Sequence, residues 1–532
     1  MIPPYEKRPA WLKSRGYLHI TPKIDVFNRY EEVYTKVNDP NFVARHGFFP
    51  LIHSVIKERK YKKLPNGNGR GHSYKKGNEY KKTAKLRPLH YATHIDAIIY
   101  GCYAEKLLKL YEDELKEYPG LSDCVIAYRK IEVPDEEEDN ADVEESEEQK
   151  GKSTIHFAFE AFEEIKKRAQ KGCVVLMFDI KSFFSELNHE KLKKAWCDLL
   201  KVERLDKANF NVFNAATNFR YILKDELRIG SRSRGKRNGF DEKKLAEIRK
   251  YQGIEAFFSS IEDFENAIKT KKLKVYKHPF VKDKKPVGIP QGLPISAVLA
   301  NLYLLAFDKV ILDSIVNKAE GYYRRYSDDI MIICKPEDAD WIEQFVLTEI
   351  KKSAVEISEE KTEKFLFSQQ QISPKINRIT AQLLLNGVPI ISKPLTYLGF
   401  EFYGYKTLIK SANLSKYYRR MISSVKRKAK RAKSANLSSD KIPAIFPRQL
   451  RRIYDNANLN KEKVYRKRKS LVKNDQGFYS FKFREVKVKP GSTYISYVRR
   501  ASLTMAEESI KDQINKHSSV FRKAMARHLK RR

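Results

Sequence analysis

The chain has 532 residues, 41% hydrophobic and 12% aromatic, ample for two or three domains with real cores. A formal net charge of +38 and a pI near 9.7 point to a polyanionic partner, nucleic acid first and an acidic membrane surface second. No apolar run approaches the roughly 18 residues of a membrane span, and the start, Met1-Ile2-Pro3-Pro4-Tyr5-Glu6-Lys7-Arg8, lacks a signal peptide's apolar core, so a soluble, cytoplasmic protein without a membrane partner is expected.

Residues 1–55 mix aromatics and charges and read as an N-terminal helical extension. Lys57 to Lys63, Asn66 to His72 and Tyr74 to Lys76 then combine glycine with basic and aromatic residues. That composition suits either a loop contacting phosphates and stacking on bases or a plain solvated loop. A second segment opens at Lys85-Leu86-Arg87-Pro88-Leu89-His90-Tyr91 and continues into an apolar-periodic helix from His94 to Leu115. Between Glu132 and Glu148 stand eleven acidic residues and no basic one. Such a block is normally solvated and disordered; the alternatives are a mimic of nucleic acid lying on a basic groove, or a contact to another subunit.

Gly151 to Lys171 predicts an amphipathic helix leading into Val174-Val175-Leu176-Met177-Phe178, a continuous apolar run of the kind found in strands buried on both faces. Asp179 closes that strand, followed by Ile180-Lys181-Ser182-Phe183-Phe184 and a helix from His189 to Leu200. An insertion over about residues 200–285 contains Arg232, Arg234, Lys236 and Arg237 among glycines and serines, a flexible phosphate-binding arm. Lys282-Asp283-Lys284-Lys285 is suited to a template path. In Val287-Gly288-Ile289-Pro290-Gln291-Gly292-Leu293-Pro294-Ile295-Ser296, Pro and Gly break the chain, and Ser296 is placed to cap an apolar helix from Ala297 to Phe307. A glycine-bearing turn entering a helix lets backbone amides approach a nucleotide closely.

Tyr322 to Cys334 sets Ser327-Asp328-Asp329 between an aromatic and an aliphatic β-prone run, so a hairpin with those residues at its tip is expected. Ser-Asp-Asp is also ordinary turn chemistry. If the strand ending in Asp179 lies beside this hairpin, Asp179 and Asp328 can hold two Mg²⁺ ions about 3.5–4 Å apart, the arrangement that serves phosphoryl transfer. From Lys406 to Arg532, 36 lysines and arginines stand against 8 aspartates and glutamates, a net +28. Basic helices are expected over Tyr417 to Arg431, carrying Lys426, Arg427, Lys430 and Arg431, and over Lys461 to Lys473, carrying Arg466, Lys467 and Arg468, with a last helix from Ser502 to the end. Five cysteines without CxxC spacing, Cys102, Cys124, Cys173, Cys197 and Cys334, read as reduced core thiols.

In order and spacing these stretches resemble the palm motifs of reverse transcriptases. Phe178-Asp179-Ile180 with Phe183-Phe184 resembles motif A, Ile289 to Ser296 with Asn301 motif B, and Tyr326-Ser327-Asp328-Asp329 motif C. Glu360-Lys361-Thr362 is similar to motif D, and Tyr397-Leu398-Gly399-Phe400-Glu401-Phe402 to the primer-grip strand pair of motif E. Cys124 to Lys130 resembles the short strand and arginine of retron-like and phage-defence enzymes. Ser327 departs from the small or apolar residue more frequent at its position. The resemblance implies catalytic Asp179, Asp328 and Asp329, with Asp179, Ile180, Asp328 and Asp329 as the metal set for two Mg²⁺ ions or Mn²⁺ in their place. It implies a nucleotide pocket of Phe184, Gln291, Gly292, Arg87 and Lys361, in which Phe184 gates against the ribose 2′-hydroxyl and Lys361 serves near the pyrophosphate.

The expected fold is α+β: a right-hand polymerase with fingers, palm and thumb, an antiparallel palm sheet, and a basic, mainly helical C-terminal domain. Its parts are an extension (residues 1–84), fingers (85–178), palm (179–405) and thumb with C-terminal domain (406–532). The implied partners are RNA, a DNA product and dNTPs, with self-association open. The resemblance favours a bacterial abortive-infection or defence-associated reverse transcriptase. A retron-type enzyme copying a dedicated structured RNA, and a catalytically silent RNA-binding scaffold, are the alternatives.

Overall fold

The computed structural model describes residues 2–4, 7–58, 62–64, 69–76, 79–132, 151–229, 239–240, 242–385, 387–391, 393–435, 450, 454, 464–488 and 492–529. The acidic run beyond Glu132 and the expected arm of Arg232, Arg234, Lys236 and Arg237 lie outside the described residues.

Strand β1 (Leu51–Glu58) pairs antiparallel with β2 (Lys85–Tyr91), from Ile52 opposite Tyr91 to Glu58 opposite Lys85. The short strand Tyr221–Leu223 joins the other edge of β1 in parallel. The sheet therefore joins chain from both sides of residue 84 with part of the segment 200–285. The N-terminal region is not helical throughout: its helices are Tyr30–Asn38 and Pro40–Arg45, and it ends in β1. Trp11, Leu12, Val33 and Val37 are buried in one core with Ile98 and Ile99 of helix α1 (His94–Glu117).

Helix α2 (Thr154–Arg168), whose start is fixed by a Ser153–His156 capping box, leads into β3 (Cys173–Asp179). Beyond β3 come helices α3 (His189–Leu200) and α4 (Glu242–Gln252). Ser296 does not cap the next helix. Its hydroxyl donates 2.6 Å to the Pro290 carbonyl, and the apolar run divides into α5 (Ser296–Tyr303) and α6 (Leu305–Ile311). The hairpin of β4 (Tyr322–Tyr326) and β5 (Asp329–Cys334) follows, then α7 (Ala339–Lys352), β6 (Glu363–Ser373), β7 (Ile376–Leu385) and β8 (Val388–Ile390). These strands form a six-stranded antiparallel sheet in the order β4-β5-β3-β6-β7-β8.

Side-chain alternation explains the unbroken apolar run of β3. Val174, Leu176 and Phe178, with Ile330, Ile332 and Cys334 of β5, face a core shared with α1 and α5. Cys173 and Val175, with Met331 and Ile333, face a second core shared with α2. Both faces are covered, so the run is apolar up to the terminal acid. All five cysteines are free and buried.

The strands β9 (Leu395–Tyr397), β10 (Phe400–Phe402) and β11 (Thr407–Ile409) make a small antiparallel sheet, and α8 (Ser411–Ala435) leaves it. The helix expected over Lys461 to Lys473 is instead strand β12 (Val464–Lys473), paired along its length with β13 (Tyr479–Val488). The density of charge in this segment suits a helix. The period-two run of Tyr479, Phe481 and Phe483, and the turn at Asn474 to Gly477, favour a hairpin. Arg466, Lys467 and Arg468 thus belong to a strand. The terminal helix is also broken: α9 (Tyr494–Thr504) starts earlier, at a Thr493–Ser496 capping box, then Glu508–Asp512 and α10 (His517–Leu529) follow.

Buried between α6 and β4, Arg325 and Asp308 form an ion pair with both side chains fully inaccessible. Arg325 Nε donates 2.7 Å to Asp308 Oδ1 and Nη2 donates 2.5 Å to Oδ2, while the Tyr323 hydroxyl donates 2.6 Å to Oδ1. Burial opposes the guanidinium charge, but the Asp308 carboxylate outweighs it and keeps the pKa well above the ordinary arginine range. Removing one partner of such a pair leaves an uncompensated buried charge. Asp308→Ala should therefore destabilise the protein by about 3–5 kcal/mol in chemical denaturation. The double change Asp308→Leu/Arg325→Met should cost markedly less.

Candidate active site

Antiparallel pairing of β3 with β5 places Asp179 directly opposite Asp329, and Tyr326 pairs with Asp329 across the hairpin, leaving Ser327 and Asp328 as a two-residue turn. Three carboxylates from two distant stretches thus meet at adjoining strand ends. Backbone hydrogen bonds fix the junction: Ile180 N donates 3.0 Å to Asp328 O, and Ser358 N donates 2.8 Å to Asp179 O. Asp329 starts β5 and is not itself in the turn.

The turn is held from several sides. Ser327 is buried, with φ 61 in the left-handed region that a non-glycine residue occupies only under constraint. Its hydroxyl bonds the Asp328 carboxylate and accepts 3.1 Å from the Tyr128 hydroxyl, and its carbonyl accepts 3.3 Å from Arg325 Nη1. Arg325 Nη1 also donates 3.4 Å to Asn301 Oδ1, and Asn301 Nδ2 donates 2.8 Å to Ala127 O. Arg129 does not face the acids. It is buried against Glu112, Ser122 and the Val125 carbonyl.

The charges are mutually unfavourable. Burial, then the Asp179 charge, raises Asp328. Burial, then Asp328 and Asp179, pushes Asp329 up to about 6, with Lys361 and Lys410 acting in the opposite sense. Lys361 pairs with Asp179 Oδ1. Lys85, which sequence reading left without a role, is depressed by burial and by Arg87 and Lys361, while Asp179 and Asp328 counter that shift. It therefore belongs to the electrostatic surroundings of the acids. Its signal in the sequence was position: Lys85 and Arg87 are two apart on a strand and so share a face.

The expected nucleotide residues fall in two groups. Phe184 is half-buried, edge-on to Phe183 at 5.7 Å between ring centroids, and its carbonyl accepts 2.7 Å from Ile289 N, tying the segment after Asp179 to the Gln291 turn. The Gln291 carbonyl accepts 2.8 Å from His90 N of β2. Gly292, at φ 115, lies so close that a Cβ would meet the His90 carbonyl oxygen at 2.5 Å, and a Cβ on Gly288 would meet the Ser185 backbone at 2.5 Å. Both positions exclude a side chain. Arg87 is bound outside this cluster, its Nε donating 3.3 Å to Glu58 Oε2, while Lys416 Nζ at the start of α8 donates 2.9 Å to Glu58 Oε1.

Lys426, Arg427 and Lys430 are exposed on the face of α8 opposite buried Met421, Val425 and Ala429. Arg431 lies in α8 and Arg466, Lys467 and Arg468 in β12; their side chains are outside the described residues.

For a divalent cation the donor chemistry fits. Of the three hard carboxylates, Asp328 and Asp329 bear a burial and repulsion penalty that a cation would relieve. Asp179 already holds an ammonium. Ile180, with a buried apolar side chain, offers only its main-chain carbonyl. Among the described residues no three ligating side chains surround one point.

The model of the family described as reverse transcriptase (RNA-dependent DNA polymerase) matches residues 250–402, a span with Gln291, Asp328, Asp329 and Lys361 but not Asp179. The match marks a domain of RNA-directed DNA polymerases, which are nucleotidyltransferases. No curated protein matches the chain. Among solved structures, apo telomerase of Candida tropicalis truncated from its C-terminal domain is similar at TM-score 0.34 and 11% identity, over 62% of this chain and 53% of that one. Candida albicans telomerase in complex with a TWJ fragment of telomeric RNA gives 0.32 and 10%, over 75% and 53%. Apo telomerase of Candida tropicalis gives 0.34 and 11%, over 75% and 56%. The chain spans about half the length of these proteins.

The raised Asp329 gives a pH signature. Below its ordinary value of 3.8 the carboxyl is protonated in folded and unfolded chains alike, and between that value and about 6 only the unfolded chain loses the proton. Asp329's own contribution to metal-free stability should therefore fall as pH rises through that window. In EDTA, Asp329→Asn should stabilise the protein by about 1–3 kcal/mol at neutral pH and by almost nothing near pH 4, read from denaturation midpoints.

Proposed function

We propose that this chain is a reverse transcriptase that joins dNTPs into DNA on an RNA template by two-metal nucleotidyl transfer, and that its setting is bacterial antiphage defence. The observation that carries the chemistry is the meeting of Asp179 with Asp328 and Asp329 at adjoining strand ends, tied through Phe184 and Ile289 to the Gln291–Gly292 turn. The family match over residues 250–402 supports the same reading. The defence setting rests on the retron-like likeness of Cys124 to Lys130 and on the basic C-terminal region.

In this reaction the primer 3′-hydroxyl oxygen bonds to the α-phosphorus of the dNTP, its proton is lost, the bond to the bridging oxygen breaks, and pyrophosphate leaves. Two Mg²⁺ ions, when bound, stabilise the attacking and leaving oxygens. Asp179, Asp328 and Asp329 would hold them, with the Ile180 carbonyl completing the set. Lys361 would exchange its bond to Asp179 for the leaving pyrophosphate, supplying positive charge or a proton there. Lys85 and Arg87 share the β2 face whose charge reaches the acids, a placement suited to the triphosphate. Phe184 would fill the space beside the sugar 2′ position. The exposed lysines and arginine of α8 would follow the template–primer backbone.

Asp328→Ala/Asp329→Ala should lower Mg²⁺-dependent dNTP incorporation by at least about 10³-fold while RNA affinity stays within a few-fold. A variant that keeps incorporating dNTPs would overturn the assignment. Protease, DNase and RNase treatment of the wild-type product separates protein priming from RNA priming. Phe184→Val should raise the use of rNTPs relative to dNTPs by about 10–100-fold in single-nucleotide addition.

A further inference from the structure

We propose that the hairpin of β12 and β13 is a clasp that closes the chain into a ring, through which a nucleic-acid strand is threaded and topologically retained. The identity of that strand as template or product rests on the polymerase reading; the closure itself does not. The root of the clasp is firm. Ile495, Val498 and Ala501 of α9 lie in one core with Phe365 and Phe400. The outer edge of β11 is covered by side chains from beyond α9: Thr407 N donates 3.0 Å to Glu507 Oε2, and Ile409 N donates 2.8 Å to Gln513 Oε1.

The tip lands on a different part of the molecule. Phe478 packs edge-on against Tyr251 at 5.6 Å with Lys250 Nζ 4.4 Å from its centroid, and the Arg249 guanidinium lies 4.8 Å from the Phe481 centroid. Tyr479 lies so close to Gly253 that a Cβ there would meet its ring at 2.8 Å. Helix α4, which carries these partners, leads to Phe257 and Phe264, which share a core with Ile52 of β1 and with Ile222. The hairpin thus runs from a region anchored on the palm sheet to one anchored on the β1–β2 sheet, and the palm joins the two on the other side.

The contact is narrow, a few aromatic rings and cations, so it can open and reclose, unlike the extended core at the root. The arm is also basic. Lys473, Lys482, Arg484 and Lys487 are exposed on it, against Asp475 and Glu485. A strand held by charge alone leaves as salt rises, whereas an enclosed strand leaves only by an end.

The test binds the full chain, without dNTPs, to a primed circular single-stranded DNA and to the linear form of the same sequence, then challenges both with high salt. Retention on the circle should outlast that on the line by at least ~10-fold. Phe478→Ala/Tyr479→Ala/Phe481→Ala should abolish the difference while leaving low-salt binding within a few-fold. Arg249→Ala/Lys250→Ala/Tyr251→Ala, which alters the other half of the clasp, should do the same. Equal loss of wild-type protein from circle and line overturns the ring, and a circle preference surviving in both variants overturns the clasp. Because no nucleotide is added, a failed ring leaves the polymerase reading untouched, and failed dNTP incorporation leaves the ring to be judged by retention.

Discussion

Three partly buried carboxylates held at adjoining strand ends repel one another, and much of the surrounding structure serves to hold them there. Asp328 and Asp329 are both raised by burial and by their acidic neighbours, so the hairpin that presents them gains nothing from the acids themselves. Its position is set from behind, by the apolar ladder of β5 on β3 and by Arg325. The Arg325–Asp308 pair is a poor source of net stability in general terms, since burying two charges costs about as much as their attraction returns. Its value here is geometric. One guanidinium reaches Asp308, the Asn301 amide oxygen and the Ser327 carbonyl, linking α6, α5 and the turn in one network.

A second constraint acts on the Gln291 turn, which is pressed between two parts of the backbone. Gly292 packs on the His90 carbonyl of the β1–β2 sheet and Gly288 on Ser185, after β3. Short hydrogen bonds from Gly288 N to Leu187 O and from Ile289 N to Phe184 O complete the clamp. The turn therefore couples the placement of the β1–β2 sheet to the placement of the acids, which is why Lys85 lies within electrostatic reach of Asp179.

The C-terminal region adds contacts at both ends of this arrangement. Lys416 meets Glu58, which also binds Arg87, so one carboxylate connects α8 with β1 and β2. These side chains are partly exposed, and such pairs contribute little in water, on the order of 0–1 kcal/mol. The larger attachment is apolar, through α9 and the small β9–β11 sheet. A firm root with weakly held outer contacts is the mechanical form of a hinged part.

Local chemistry was legible from the sequence wherever a signal was short-ranged. The strand ending in Asp179, the hairpin around Asp328, and helices α1, α2 and α3 follow from period, composition and turn residues, because these act over a few positions. The Arg466–Arg468 stretch was misread because its charges suit a helix, while its strand state depends on a partner that begins at Tyr479. Ser296 was misread as a cap because its acceptor, the Pro290 carbonyl, comes into reach only when the preceding turn folds back. What the amino-acid order determined by itself is which residues carry charge and that the apolar runs ending at Asp179 and following Asp329 are strands. Which carboxylate lies opposite which, that Arg325 finds Asp308, and that Lys85 shares the acids' field were decided only in the tertiary structure. Each of those depends on contacts between residues far apart in the chain, made by packing two cores on one sheet.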